Sequence, residues 1–349
     1  MKFPHFFSLI ILFGFYSCTT TDKNMPTPEK LDKLRVLVDQ MQEEMEKISN
    51  DLDTVAHYYA FLISHRDSIL ATEPPLKYRF EGPFSTNQPG LDSSFSSVMI
   101  LNTTPDREAA LSEIRLTNSM DSVYGGLFNE YSIVAQVYSN SSLQVGRVYP
   151  AFDAKNITDP NIDVTDFNFF YEANLKNNPS KGLVWIPDAY IDPAGKGWIL
   201  SIIHPVYDGD SLSAVVGVDF TVSDLIETFL ERTEGEFILV NSSGDIVAGK
   251  AAAIEALSMP LLRNHVYRET IKSDFFRISD FNLFNSKSKE VRDMAKRFLE
   301  EKDSVFYFST EPGINKALMM PFSKIDWYLI EIFSELWSKP KFSAGQIFG

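Results

Sequence analysis

Apolar residues recur at intervals of three and four from Leu31 through Leu34, Val38, Met41, Met45, Ile48, Leu52, Val55 and Tyr59 to Leu62, with Glu, Lys, Asp and Gln between them. This period predicts one long amphipathic helix over residues 30–73 with a single apolar stripe. Such a helix exceeds the usual globular length, so its stripe must either lie along a whole domain as a spine or meet a second copy in a homodimer. Beyond Pro74 the period shortens to two. Ser96 to Leu101 reads as a strand and Asp106 to Met120 as an amphipathic helix. Ser132 to Tyr138 and Gln144 to Tyr149 form one predicted hairpin, and Lys196 to His204 and Ser213 to Phe220, turning through Asp208 to Asp210, form a second. Between the hairpins lies Pro150 to Gly195, rich in aromatics, Asn, Asp and Pro; a connection of that length in a compact domain is expected to cover a binding site. The class is α+β.

Ahead of the helix, Met1 to Ser17 carries one early Lys, an apolar run from Phe6 to Phe15, and Ser17 directly before Cys18. The run is shorter than the roughly 20 residues that span a bilayer. It resembles a bacterial lipoprotein signal, which implies export, cleavage before Cys18 and diacylation of its thiol. A cleaved signal with an incidental cysteine, or an uncleaved anchor, is the other reading. Cys18 is the only cysteine in the chain, so no disulfide contributes to stability. Acyl chains contribute about 0.8 kcal/mol per buried CH₂ and would hold the body at a membrane surface. Thr19 follows the cysteine in place of the aspartate that retains many lipoproteins at the inner membrane, which favours the outer membrane. The polar stretch Thr19 to Glu29 reads as a tether. A formal charge of -15 argues against nucleic acid and against polybasic attachment to lipid.

Several features in order resemble the double Cache domain, the extracytoplasmic sensor module of bacterial chemoreceptors and sensor kinases. They are the long helix, the first hairpin, Phe169 to Ala173 (FFYEA), the spacing from Trp185 through Tyr190 to Asp192, Pro205-Val206-Tyr207 and Gly217-Val218-Asp219. Glu236 to Gly249, a strand, an SSGD turn and a strand, and Ala317 to Phe333 look like the second repeat of that family. The resemblance implies a long N-terminal helix followed by two PAS-like antiparallel-sheet lobes. The parts are a signal peptide (1–17), a lipidated tether (18–29), the spine (30–73), a membrane-distal lobe with the pocket (74–230), a membrane-proximal lobe (231–340) and a tail (341–349). It implies ligand contacts from Phe170, Tyr171, Trp185, Tyr190, Asp192 and Asp219, with Asp219 receiving an ammonium group. The family's carboxylate-clamping arginine is absent, with Asn168 in its place and Phe170 at the tryptophan position. Arg147 on the neighbouring strand is the one substitute for that clamp. Without it the ligand is an amine, an amino-acid derivative or an uncharged metabolite.

Each of these residues also has a plain structural role open to it. Phe170, Trp185 and Tyr190 could fill a core, Tyr171 and Asp192 could hydrogen-bond internally, and Asp219 could cap a helix beginning near Asp224. Asp208, Asp210 and Ser242 to Asp245 read as turns. Five histidines stand without a recognisable metal or nucleophile spacing, and no Walker or dinucleotide signature occurs, so neither catalysis, a cofactor nor a metal is expected. Two functions stay open: a non-catalytic, lipid-anchored sensor or binding module that signals through a membrane protein, and a structural or surface-interaction lipoprotein with a degenerate pocket.

Overall fold

The computed structural model describes residues 27–87, 94–186, 189–260, 281–310 and 313–334. The signal peptide, Cys18, nearly all of the tether and the tail lie outside the described residues. The chain folds as a long helix followed by two antiparallel-sheet lobes, the arrangement that the double Cache resemblance implies.

Helix α1 spans Thr27–Ser64 and is followed, after a break at His65, by α2, Arg66–Leu70. The helical span therefore starts three residues earlier and ends three residues earlier than the expected 30–73, stopping at Leu70. Glu73 at φ +51 leads into Pro74-Pro75, and proline can neither donate the helical hydrogen bond nor tolerate a helical residue before it. The apolar stripe is covered by the chain's own sheets: Leu34, Val38, Met41, Ile48, Leu52 and Tyr59 are all buried. The first half of α1 meets the second lobe, where Gln42 Oε1 accepts from the Ser323 amide (2.6 Å) and Lys324 pairs with Glu46. The second half meets the first lobe, where Tyr131 donates to Asp51 (2.7 Å) and Tyr58 to Ser119 (2.9 Å). One helix thus ties both lobes together.

The first lobe holds strands β1 (Phe80–Glu81), β2 (Phe84–Ser85), β3 (Ser97–Ile100), β4 (Gln136–Ser141), β5 (Val145–Tyr149), β6 (Val184–Trp185), β7 (Tyr190–Ile191), β8 (Trp198–Asp208) and β9 (Ser211–Thr221). Their order is β1-β2-β3-β5-β4-β9-β8-β6, with β7 also on β8. Helices α3 (Arg107–Leu116) and α4 (Met120–Glu130) lie with α1 on one face. The helix expected from Asp106 to Met120 is two: Asp106 caps α3 by accepting from the Glu108 and Ala109 amides, α3 closes at Thr117, and a separate α4 follows. The other face is covered by residues 150–186 and 189–195, whose Phe152, Ile162, Val164, Phe167 and Phe170 belong to an aromatic-rich second core.

The second lobe is a five-stranded sheet in the order β11-β10-β14-β13-β12, from β10 (Glu236–Asn241), β11 (Ile246–Gly249), β12 (Val305–Tyr307), β13 (Ile314–Pro321) and β14 (Trp327–Ser334). Its first hairpin turns as expected at Ser242 to Asp245, where Gly244 takes φ +87 and the Asp245 amide donates to Asn241 Oδ1.

Candidate functional site

Register fixes the site. In β4, β9 and β8 the residues Gln136, Asp219 and Ser201 lie directly opposite one another, and one rung along come Tyr138, Gly217 and Ile203. Side chains alternate between faces, so Gln136, Tyr138, Ser201 and Asp219 all point to the covered face, while Val137 and Val218 point to α1 and its neighbours. Gln136 Nε2 donates to Asp219 Oδ2 (2.6 Å) and Ser201 Oγ donates to Asp219 Oδ1 (2.5 Å). Ser201 Oγ also lies 2.7 Å from Tyr190 Oη, a contact in which either hydroxyl can donate. Gly217 permits the close approach of Tyr138: a Cβ there would lie 2.3 Å from Tyr138 Cζ.

A small cavity of about 50 Å³ lies between this row and the cover. Its rings are Tyr138, Phe169, Tyr190 and Phe152, and its polar walls are Gln136, Asn140, Thr158, Asp192 and Asp219. Phe169 stands edge-on to Tyr138 at 6.0 Å and tilted to Tyr190 at 6.5 Å. Asp192 is buried at the end of the cover, where its oxygens accept from the Ala194 and Lys196 amides at 2.8 and 3.0 Å. Three buried atoms on these walls, Gln136 Oε1, Tyr138 Oη and Thr158 Oγ1, have no hydrogen-bond partner among the described residues. Orphaned buried polar groups are uncommon and costly, and three of those in the described residues line this one cavity.

No Arg, Lys or His lines the cavity, although the charge of nearby Lys196 acts on Asp192. Burial, reinforced by neighbouring Asp192, pushes the Asp219 carboxyl up to about 8, against the pull of its Gln136 and Ser201 bonds. Burial also raises Asp192. Tyr138 and Tyr190 are raised first by burial and then by the charge of Asp219.

The structure brings Tyr190, Asp192 and Asp219 to the cavity and leaves four other expected contacts away from it. Phe170 is buried in the cover beside the lining Phe169, and Tyr171 is half-buried and off the wall. Trp185 faces the opposite side, stacked on Phe220 (5.9 Å) and edge-on to Trp327 of the second lobe (5.9 Å). Arg147 is not available as a carboxylate clamp: it points to the helical face, where it is 1 % exposed, pairs with Asp121 at 2.5 Å and donates to Tyr78, Thr117 and the Ile114 carbonyl. Asn168 is buried in the cover and off the wall as well. The helix-cap role open to Asp219 is filled by Thr221, whose Oγ1 accepts from the Asp224 amide. Residues that sequence reasoning missed are Gln136, Tyr138, Ser201 and Phe169; the first two share a sheet face with Asp219 and were legible in principle once β4 and β9 were paired.

A second recess of about 340 Å³ opens on the helical face near the end of α1, lined by Arg66, Ser112, Glu113, Ser142, Asp208, Ser211 and their apolar neighbours. Among the described residues no group of three or more His, Cys, Asp or Glu is arranged to hold a metal ion, and no helix is long and apolar enough to cross a membrane.

No family model and no curated protein matches the chain. Among solved structures it is similar to the ligand-binding domain of the Pseudomonas fluorescens chemoreceptor CtaA in complex with L-serine, at 14% identity over 86% of this chain and 98% of that one with a TM-score of 0.42. The ligand-binding domain of the Pseudomonas aeruginosa amino-acid chemoreceptor PctC in complex with GABA gives 12%, 88%, 100% and 0.45. That of the Campylobacter jejuni chemoreceptor Tlp3 in complex with L-norvaline gives 12%, 91%, 96% and 0.45. At these scores the likeness is one of outline.

Proposed function

We propose that the chain is a non-catalytic, extracytoplasmic module that binds a small organic solute in its first lobe and signals through a membrane partner. The observation that carries this reading is the partly open cavity whose wall holds three unpartnered polar atoms beside two buried carboxylates. A filled aromatic core has no use for them. The route outward is short: the cover that carries Tyr190 also carries Trp185, which reaches Trp327 in the second lobe. A ligand that favours one packing of the cover would shift the population of lobe arrangements along that contact.

The test is a thermal-shift screen of the mature, unlipidated protein against amines, amino acids, carboxylates, purines and sugars, since a ligand of the folded state raises apparent stability. A reproducible hit is expected. The second reading, an interaction lipoprotein with a degenerate pocket, draws support from the cavity's size, about a third of the roughly 150 Å³ that accommodates benzene. An empty screen across all five classes would favour that reading.

Lipid anchoring through Cys18, with outer-membrane residence, belongs to the same proposal and rests on the signal-like segment 1–17. Metabolic labelling with a palmitate analogue should mark the native protein and not Cys18→Ser, and membrane fractionation should place the label in the outer membrane. Equal labelling of both forms would refute the anchor.

A further inference from the structure

The recess on the helical face holds about 340 Å³, within the range of about 300–1,000 Å³ typical of small-molecule sites. Two walls make it. One is the pair of turns that join β4 to β5 and β8 to β9, tied together by the Ser142 amide donating to the Ser213 carbonyl (2.9 Å). The other is the end of α1 with α2 and α3. Arg66 of α2 spans the gap: its Nε donates to the Ile63 carbonyl (3.3 Å) and its Nη2 to Asp208 Oδ2 (2.8 Å). Ile63 and Leu116 are buried and Leu143 half-buried, which gives the recess an apolar surface. Glu113 is buried beside them, with its Oε1 accepting from Tyr59.

These walls are polar without being strongly charged. Arg66 and Asp208 neutralise one another, and burial raises the Glu113 carboxyl to about 7, so below that pH it is a neutral donor and acceptor. Ser112 commits its hydroxyl to the Glu108 carbonyl (3.0 Å), whereas Ser142, Ser211 and Ser213 make no side-chain hydrogen bond among the described residues. A charged or zwitterionic ligand must compete with the 2.8 Å ion pair to gain a counterion. A hydroxyl need not, because it accepts from the guanidinium and donates to the carboxylate together. An apolar ligand would leave the three serines without partners.

We propose that this recess is a second solute site, which takes an uncharged polyhydroxylated ring such as a monosaccharide or cyclitol. One ring hydroxyl bridges Arg66 and Asp208, others meet Ser142, Ser211 and Ser213, and the C–H face rests on Ile63, Leu116 and Leu143. The inference does not depend on the first-lobe cavity, which lies across the sheet among the residues of the other core, so both sites can be filled at once.

The experiment is methyl NMR of the mature protein labelled at Ile and Leu, titrated to tens of millimolar with glucose, galactose and myo-inositol, and with glucosamine and glucuronate as rings that carry one added charge. At least one uncharged ring should shift the Ile63, Leu116 and Leu143 methyls saturably, with the charged rings at least several-fold weaker. Arg66→Met removes a charge-assisted donor from a side chain that is 45% exposed, so the variant should fold and bind the same ring on the order of 10-fold more weakly. Charged rings binding as tightly as uncharged ones, an unchanged affinity in Arg66→Met, or no saturable shift with any ring would overturn the inference. Shifts at Leu101 and Ile162 in place of the recess methyls would also overturn it, while supporting the binding reading of the first-lobe cavity.

Discussion

Glu113 tests the electrostatics of the first lobe independently of any ligand. Its carboxylate is 8 % exposed on α3, accepts a 2.9 Å hydrogen bond from Tyr59 of α1, and is pushed by burial from 4.5 up to about 7, although Ser141, Tyr59, Arg147 and Arg66 pull the other way. The folded chain therefore keeps a proton at pH 5 to 7 that the unfolded chain has released. Stability from this group is present in full below about pH 4.5 and is lost as pH rises towards 7. A separation of about two and a half pH units corresponds to about 3 kcal/mol at pH 8. Glu113→Gln keeps an acceptor for Tyr59 and removes the titration. At an unfolding entropy of roughly 2 cal/mol/K per residue, the variant should melt about 5 °C above the native protein at pH 8. At pH 4.5 the two should melt together. Thermal denaturation followed by circular dichroism across pH 4.5 to 8 reads the difference. An offset that does not change with pH, or a variant less stable at pH 8, would refute the assignment of a neutral buried acid here.

Two further expectations concern the sheet. Gly217→Ala would set a Cβ 2.3 Å from Tyr138 Cζ, so denaturant titration should show a loss of about 1–3 kcal/mol and the displaced ring should weaken binding of any solute found in the screen; normal stability and affinity would contradict the packing described. Arg147→Met should cost about 3–5 kcal/mol by stranding buried Asp121, and Arg147→Met with Asp121→Asn should recover part of it. Provided the single variant is studied where it is folded, its ligand affinity should equal that of the native protein, whereas a lost affinity would return Arg147 to the site.

The long helix, both first-lobe hairpins and the second-lobe turn were legible because each carries a local signal: a 3.6-residue stripe, apolar alternation on either side of a short polar turn, a glycine at positive φ. Tyr190 and Asp192 were legible for a related reason, being two apart on an extended segment and so on one face. Arg147 was not, because β5 is buried on both faces and gives no polar–apolar alternation; only the pairing of β3 and β5 shows that Val148 faces the cavity and Arg147 the helices. Phe169 and Phe170 fall in the short helix Asn168–Tyr171, where successive side chains diverge by about 100° and order in the chain does not say which one meets the cavity. Trp185 is lost to the site by the same parity, its neighbour Val184 packing with the cover. Gln136 and Ser201 depend on register across three strands, a long-range property that a one-residue slip would reverse.

The central claim, that the first-lobe cavity is a ligand site organised by Asp219, is tested most directly by a crystal structure of the mature protein with the tightest-binding hit of the solute screen. The account predicts density in the cavity with a polar group of the ligand within hydrogen-bond distance of Asp219. Density in the recess beside Glu113 and none in the cavity, or a ligand held away from Asp219, would contradict it.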